Sequence, residues 1–308
     1  MGPPRPLRFA VADDARDLPQ HVRAGSALRR WGERLVVVQD DVNALALLDE
    51  RSGVVEPLVL PADASGRRHF SERRGNKAAK MDLEACVVLP DGRLLAFGSG
   101  STPARERLVV VDVAHRVRIV DGAGLFAQLR APEFAGAALN VEGAVVHGDR
   151  LHLFQRGNGG TVDGRAAANA IGDLELAAFL RWLDHGDAPP RLLSILRVEL
   201  GEICGVPFGF TDATALPDGR IVFLAGAEDS PDTYRDGDVL GARVGLLGGQ
   251  GIVLAEIVDA SGAPTSLKLE GIEFVGVAPD GGIELLVVAD MDDPDVPAVI
   301  ASLHWARP

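Results

Sequence analysis

One pattern recurs five times along the chain, and it limits the possible folds more than any other feature. DLEACVVLPDGRLLAFGSGS (82–101) has relatives in LNVEGAVVHGDRLHLFQRGN from Leu139, GFTDATALPDGRIVFLAGAEDS from Gly209 and KLEGIEFVGVAPDGGIELLVVADMDDP from Lys268. A weaker copy, AGSALRRWGERLVVVQDD, starts at Ala24. Aligning Ser26, Glu84, Glu142, Asp212 and Glu270 gives spacings of 58, 58, 70 and 58 residues. Each aligned residue precedes a small residue, a short apolar strand, a turn, a second apolar strand and a polar tail. A fixed period of this size marks an array of units that bury their apolar faces against one another.

Two further strand-like runs follow most copies: ALALLDER and VVEPLVLP, ERLVVVDV and RVRIV, GARVGLL and IVLAEIV. Four short strands per unit, with Gly, Pro and Asp turns, predict a propeller blade. The expected fold is all-β, a five-bladed β-propeller forming a single domain over residues 1–308. Six blades is the alternative if two have merged. The last copy has one clear run after its tail, PAVIASLHW, so the N-terminal PLRFAVAD is expected to add the outer strand and close the last blade. The 70-residue interval contains GDLELAAFLRWLDHGD. There Leu176, Phe179, Leu180 and Leu183 share a helical face and Asp173 is the expected N-cap, which predicts a short helical insertion in the third blade.

In a propeller the first strand of each blade lines the central channel, and it starts at the face where the antiparallel second strand ends. The aligned acids and the polar tails therefore share one mouth. The tails supply Gln39, Asp40, Ser99, Gln155, Arg156, Asn158, Glu228, Asp229 and Asp290. Four converging carboxylates, Glu84, Glu142, Asp212 and Glu270, require a cation, protons or basic partners. A hard cation on oxygen ligands, Ca2+ or Mg2+, suits these donors. Zinc does not, since no His or Cys is aligned with them. The alternative is an ion-free polar channel in which the acids cap turns or bond neighbouring blades.

Basic residues gather near the same mouth: Arg73, Arg74, Lys77 and Lys80 before the second inner strand, then Arg105 and Arg156. Beside a cation they suit an anionic oxygen ligand such as a phosphate or carboxylate. Arg156 with Asn158, Lys80 and Arg105 are the expected anion holders, and Glu228 or Asp290 the proton acceptor. The acidic loop at 227–238, with the only tyrosine, Tyr234, reads as a lid. It lacks the DxDxDG spacing of a calcium loop.

A net charge of −13 argues against general affinity for nucleic acid or for an anionic membrane. No apolar run reaches the ~18 residues of a membrane span, and the N-terminus shows no apolar signal segment, so a cytoplasmic location is expected. Cys86 and Cys204 are expected as buried reduced thiols. GSGS at 98–101 is not a nucleophile elbow, and GLLGGQG at 245–251 reads as a hairpin turn.

The segments DLEA, NVEG with QRGN, FTDA with AEDS, and LEGI with DMDD resemble an uncharacterised bacterial β-propeller family over nearly the whole chain. More distantly, the openings resemble esterase-like phytase propellers. That resemblance implies a channel mouth that binds calcium and acts on phosphate esters. Ser26 departs from the acidic pattern. The expected function is a metal-dependent hydrolase of phosphoester or lactone type. The alternative is a non-catalytic propeller that binds a small anionic ligand or a protein partner around a structural cation.

Overall fold

Each of the five repeats folds as a four-stranded antiparallel sheet. The computed structural model describes residues 1–157, 160–229, 237–249 and 251–306. The first blade runs Gly25–Trp31, Arg34–Gln39, Ala44–Leu48 and Val55–Val59, from the channel outward. The second runs Leu83–Val88, Leu94–Gly98, Arg107–Val111 and Val117–Asp121. The third runs Val141–His147, Arg150–Gln155, Asn169–Glu175 and Ser194–Val198. The fourth runs Gly209–Ala215, Ile221–Asp229, Asp238–Gly248 and Gly251–Glu256.

The fifth blade takes three strands from the C-terminal repeat, Lys268–Val277, Ile283–Asp290 and Val299–Trp305. Its outer strand is N-terminal, Arg5–Pro6, with Arg5 opposite Ile300. The ring therefore closes through a pairing of its two ends.

The apolar runs do not alternate with polar residues because both faces of a blade are covered. Val36, Val38 and Leu45 of the first blade pack on Cys86, Leu94 and Val109 of the second. Phe154 and Ile171 of the third meet Phe223 and Ala225 of the fourth. Leu28 and Val37 meet Val288 and Ile300 across the closure. Burial at roughly 25 cal/mol per Å2 on both faces is what holds such a ring together.

The helix Leu176–His185 follows the third strand of the third blade and buries Leu176, Phe179, Trp182 and Leu183. Asp173 is not its cap, because the strand continues through Glu175, which is the N-cap and makes no side-chain cap bond. Asp173 Oδ2 instead accepts from the Ser194 hydroxyl at 2.6 Å, pinning the outer strand. Two further helices, Ala123–Leu129 and Pro132–Ala135, join the second and third blades. No helix among the described residues is long and apolar enough to cross a membrane.

Candidate functional site

Every inner strand opens with a β-bulge, and the bulged residue is what the repeat presents to the channel mouth. The register slips at Ser26, Glu84, Glu142 and Glu270, matching the alignment. In the fourth blade it slips between Phe210 and Asp212, so the bulged residue is Thr211. A bulge turns one side chain out of the ladder, and the mouth therefore receives three acids and two hydroxyls. Both hydroxyls bridge to the next blade: Ser26 Oγ donates to Leu83 O at 2.6 Å and Thr211 Oγ1 to Leu269 O at 2.7 Å.

Asp212 is thus placed differently from the other expected ligands. It occupies the position where the other blades carry Ala27, Ala85, Gly143 and Gly271. Little side chain fits there. A Cβ on Gly271 would lie 2.7 Å from Leu28 N. The Asp212 carboxylate uses that tight space to accept Ile272 N at 2.9 Å and Ala213 N at 2.8 Å. Arg29 clamps it from the first blade, Nη2 to Oδ1 at 2.7 Å and Nη1 to Oδ2 at 2.9 Å. The same guanidinium donates to Leu28 O, Ala144 O, Ala213 O and Ile272 O, one carbonyl from each of four inner strands. Asp212 is consumed in an axial lock.

Glu84, Glu142 and Glu270 share the mouth with Arg156. Arg156 Nη1 lies 3.4 Å from Glu142 Oε1 and 3.7 Å from Glu270 Oε1, while Nη2 donates to Glu228 at 2.9 Å. Glu142 also accepts from Asn140 Nδ2 at 2.6 Å. Its Oε2, and Glu270 Oε1, are buried without a hydrogen-bond partner. Burial pushes Glu142 up to about 7, against the pull of Arg156. Burial raises Glu84 and Glu270 well above the usual range, and the neighbouring acids Asp82 and Glu142 add to the rise at Glu84. Carboxylates with orphaned buried oxygens and raised pKa values await a proton or a cation.

The compact oxygen cluster at the mouth comprises Asp40, Asp82 and Glu84, whose ligand oxygens lie within 4.8 Å of one another. Asp82 sits at φ +56, an unfavourable region for a non-glycine residue. This turns its carboxylate to Lys80 Nζ at 2.6 Å, Arg105 Nη1 at 2.8 Å and the Ser99 hydroxyl. Burial opposes ionisation of Asp82, but Lys80 and Arg105 outweigh it and hold its pKa low. Lys80 also bonds Asp40. Three oxygen donors at this separation match a hard cation in type and spacing.

Beside this cluster lies a cavity of about 500 Å3. Its lining includes Lys80 and Asp290, both read from the sequence, together with Arg23, Asp41 and Lys268, which were not. Burial pushes Asp41 up to about 7 although Arg23 Nε donates to it at 2.9 Å. Asp290 rises to about 6 by burial, against the pull of Lys268. Arg23 and Lys268 had a findable signal: each lies two or three residues before its bulge, as Lys80 lies four before Glu84.

Arg105 and Arg156 are only 4% and 6% exposed and do not line this cavity; Arg105 pairs with Asp82, and Arg156 ties Glu142, Glu228 and Glu270 together. Glu228 is tied by Arg156 and by Gly237 N at 2.8 Å. Gln39 and Gln155 accept from Arg23 N and Asn140 N and so cap the approaches to two inner strands. Arg73 pairs with Asp295 and Arg74 with Asp17 at the surface. Asn158 and Tyr234 lie outside the described residues. Cys86 is buried as expected, but Cys204 is exposed, because it sits in a tight hairpin at φ +53.

Residues 21–304 match a family model described as a family of unknown function, DUF6929. No curated protein matches the chain. Among solved structures, the regucalcin of Agrobacterium tumefaciens, described as a calcium-binding protein, is 14% identical, covers 98% of this chain and 92% of its own, and superposes with a TM-score of 0.42. A luciferin-regenerating enzyme is 12% identical over 98% and 92% of the two chains, at a TM-score of 0.43. The Bombyx mori GH32 β-fructofuranosidase is 12% identical over 98% and 62%, at 0.48. At this level of identity and superposition none of them bears on what this chain binds.

Proposed function

The chain belongs to the DUF6929 family of unknown function, and we propose from the geometry of its mouth that it is a cation-dependent hydrolase of small anionic esters, of phosphoester or lactone type. One observation carries the reading: the oxygens of Asp40, Asp82 and Glu84 converge within 4.8 Å at the edge of a cavity of about 500 Å3. These three residues would hold Ca2+ or Mg2+. A cation there supplies a Lewis acid for the ester oxygen.

The chain's own groups do the rest. Lys268 and Arg73 line the cavity, paired with Asp292 and Asp295, and would offer positive charge to the anionic group in exchange for these partly exposed partners. Asp290 lines it too, and with its pKa raised to about 6 it is suited to take the proton of an attacking water near neutral pH. Asp290 is favoured over Glu228 because Glu228 is already committed to Arg156 and the Gly237 N–H. Arg156 acts as a positioning residue for Glu142, Glu228 and Glu270.

The second reading is a propeller that binds its ligand, a small anion or a protein, without turnover. It draws on the degree to which Lys80, Arg105 and Arg156 already compensate the acids. Chromogenic phosphoesters and lactones, assayed with Ca2+, with Mg2+ and with chelator, separate the two. Cation-dependent turnover that disappears in Glu84→Gln at an unchanged melting temperature supports the hydrolase. Ligand binding without turnover supports the second reading, and failure of both sinks the site.

A further inference from the structure

Lys80 stands where the cation of the preceding reading would stand. Its ammonium bonds Asp40 and lies 2.6 Å from Asp82 Oδ1, taking two of the three carboxylates that converge. The side chain is 6% exposed, yet it lines the cavity, so open space adjoins it. Asp82 does not depend on Lys80 alone, because Arg105 and Ser99 hold it as well. A separate observation within the cluster points to an unfilled demand for positive charge: the second oxygen of Asp40, Oδ1, is buried without a hydrogen-bond partner. Glu142, 3% exposed and with its own Oε2 unpartnered, adds negative charge felt at Asp82 and Glu84.

We propose that Lys80 is a resident ammonium that competes with a divalent metal for Asp40 and Asp82, and that metal binding turns it into the cavity to meet the anionic group of the ligand. The proposal rests on the cation reading and adds a coupling to it. A metal ion and an ammonium cannot share this carboxylate pair without strong like-charge repulsion in a partly dry site. Once displaced, the ammonium is one flexible side chain away from the cavity that Lys268 and Arg73 also line. Metal and anion then favour each other's binding, and by linkage each must raise the affinity of the other by the same factor.

The test uses the full chain. Ca2+ is titrated calorimetrically into the native protein and into Lys80→Met, and phenylphosphonate, which has no ester bond to hydrolyse, is titrated into both with and without saturating Ca2+. The expected result is Ca2+ binding at least tenfold tighter in Lys80→Met. The native protein should also gain at least fivefold in phenylphosphonate affinity on adding Ca2+, a gain that Lys80→Met lacks. Equal Ca2+ affinity in the two proteins overturns the competition while leaving the cation reading standing. Failure of both proteins to bind Ca2+ or Mg2+ overturns the two together.

A measurement on the native protein covers the case in which the variant does not fold. The chain has three lysines, Lys77, Lys80 and Lys268, so acetylation of each is separable by mass spectrometry. Saturating Ca2+ should speed modification of Lys80 at least fivefold relative to Lys77. An unchanged Lys80 rate overturns the proposal.

Discussion

Arg29 and Asp212, 183 positions apart, form a two-pronged ion pair at the propeller axis, with N–O distances of 2.7 and 2.9 Å. Carbonyls of four inner strands complete the guanidinium's partners. The pair ties the first blade to the fourth without passing through the blades between them.

Removing one partner leaves the other charge buried and uncompensated. Arg29→Met should therefore cost about 3–5 kcal/mol of stability, read by urea unfolding. The double variant Arg29→Met with Asp212→Asn should be more stable than Arg29→Met alone, because the stranded charge is gone. A double variant that is no better would mean that the carbonyl contacts, and not the ion pair, carry the lock.

The bulge register separates Asp212 from the acids of the mouth. Asp212→Asn should leave Ca2+ affinity within about twofold of the native value, whereas Glu84→Gln should lower it about tenfold or more, the scale of losing one charged ligand. Calorimetric titration of both variants decides the matter. Equal losses would return Asp212 to the ligand set.

The buried acids give the protein an unusual pH response. Asp290 is pushed up to about 6, and Asp41 and Glu142 to about 7, from ordinary values of 3.8, 3.8 and 4.5. Between those ordinary values and the raised ones, the folded protein holds protons that the unfolded chain has released. Stability therefore falls as pH rises through that window. Surface carboxylates act in the opposite sense: hydrogen bonds from Arg93 hold Asp91 and Asp184 low, and their contribution is lost on acidification. The melting temperature should be higher at pH 5 than at pH 7.5, and Glu142→Gln should flatten the slope. A melting temperature that climbs across this range would refute the assignment of these protons.

The two cysteines should behave as opposites. Cys86 is fully buried and its thiol is pushed up to about 12, chiefly by burial. Cys204 is exposed. A maleimide reagent should label one thiol per native chain, at Cys204, and two after denaturation. Rapid native labelling of Cys86 would mean that the packing of the first blade on the second is wrong.

Much of the site was legible because its residues recur at a fixed offset. Glu84, Glu142 and Glu270 stand out by position alone, and Asp290 by its place in a tail. Asp41 did not stand out, since it is one residue from Asp40, which the repeat marked, and spacing does not tell which of two adjacent acids turns inward; Asp82 opens the second copy two residues before Glu84, but nothing in the pattern placed it among the ligands. In the fourth blade FTDA carries its acid one place late. The ladder puts its bulge at Thr211, and a slip of one residue reverses the direction of a side chain.

The period, the unbroken apolar runs and the turn residues pointed to a ring of five sheets and left six as the alternative. These are local properties, and a strand apolar on both faces has to be covered on both sides. The tertiary structure alone decided which oxygens meet at the mouth, that Lys80 lies among them, and that Arg29 reaches across the axis to Asp212. Those contacts join residues that only ring closure brings together, and in the fourth blade the register depends on a bulge at Thr211, one residue from the position that the repeat marks.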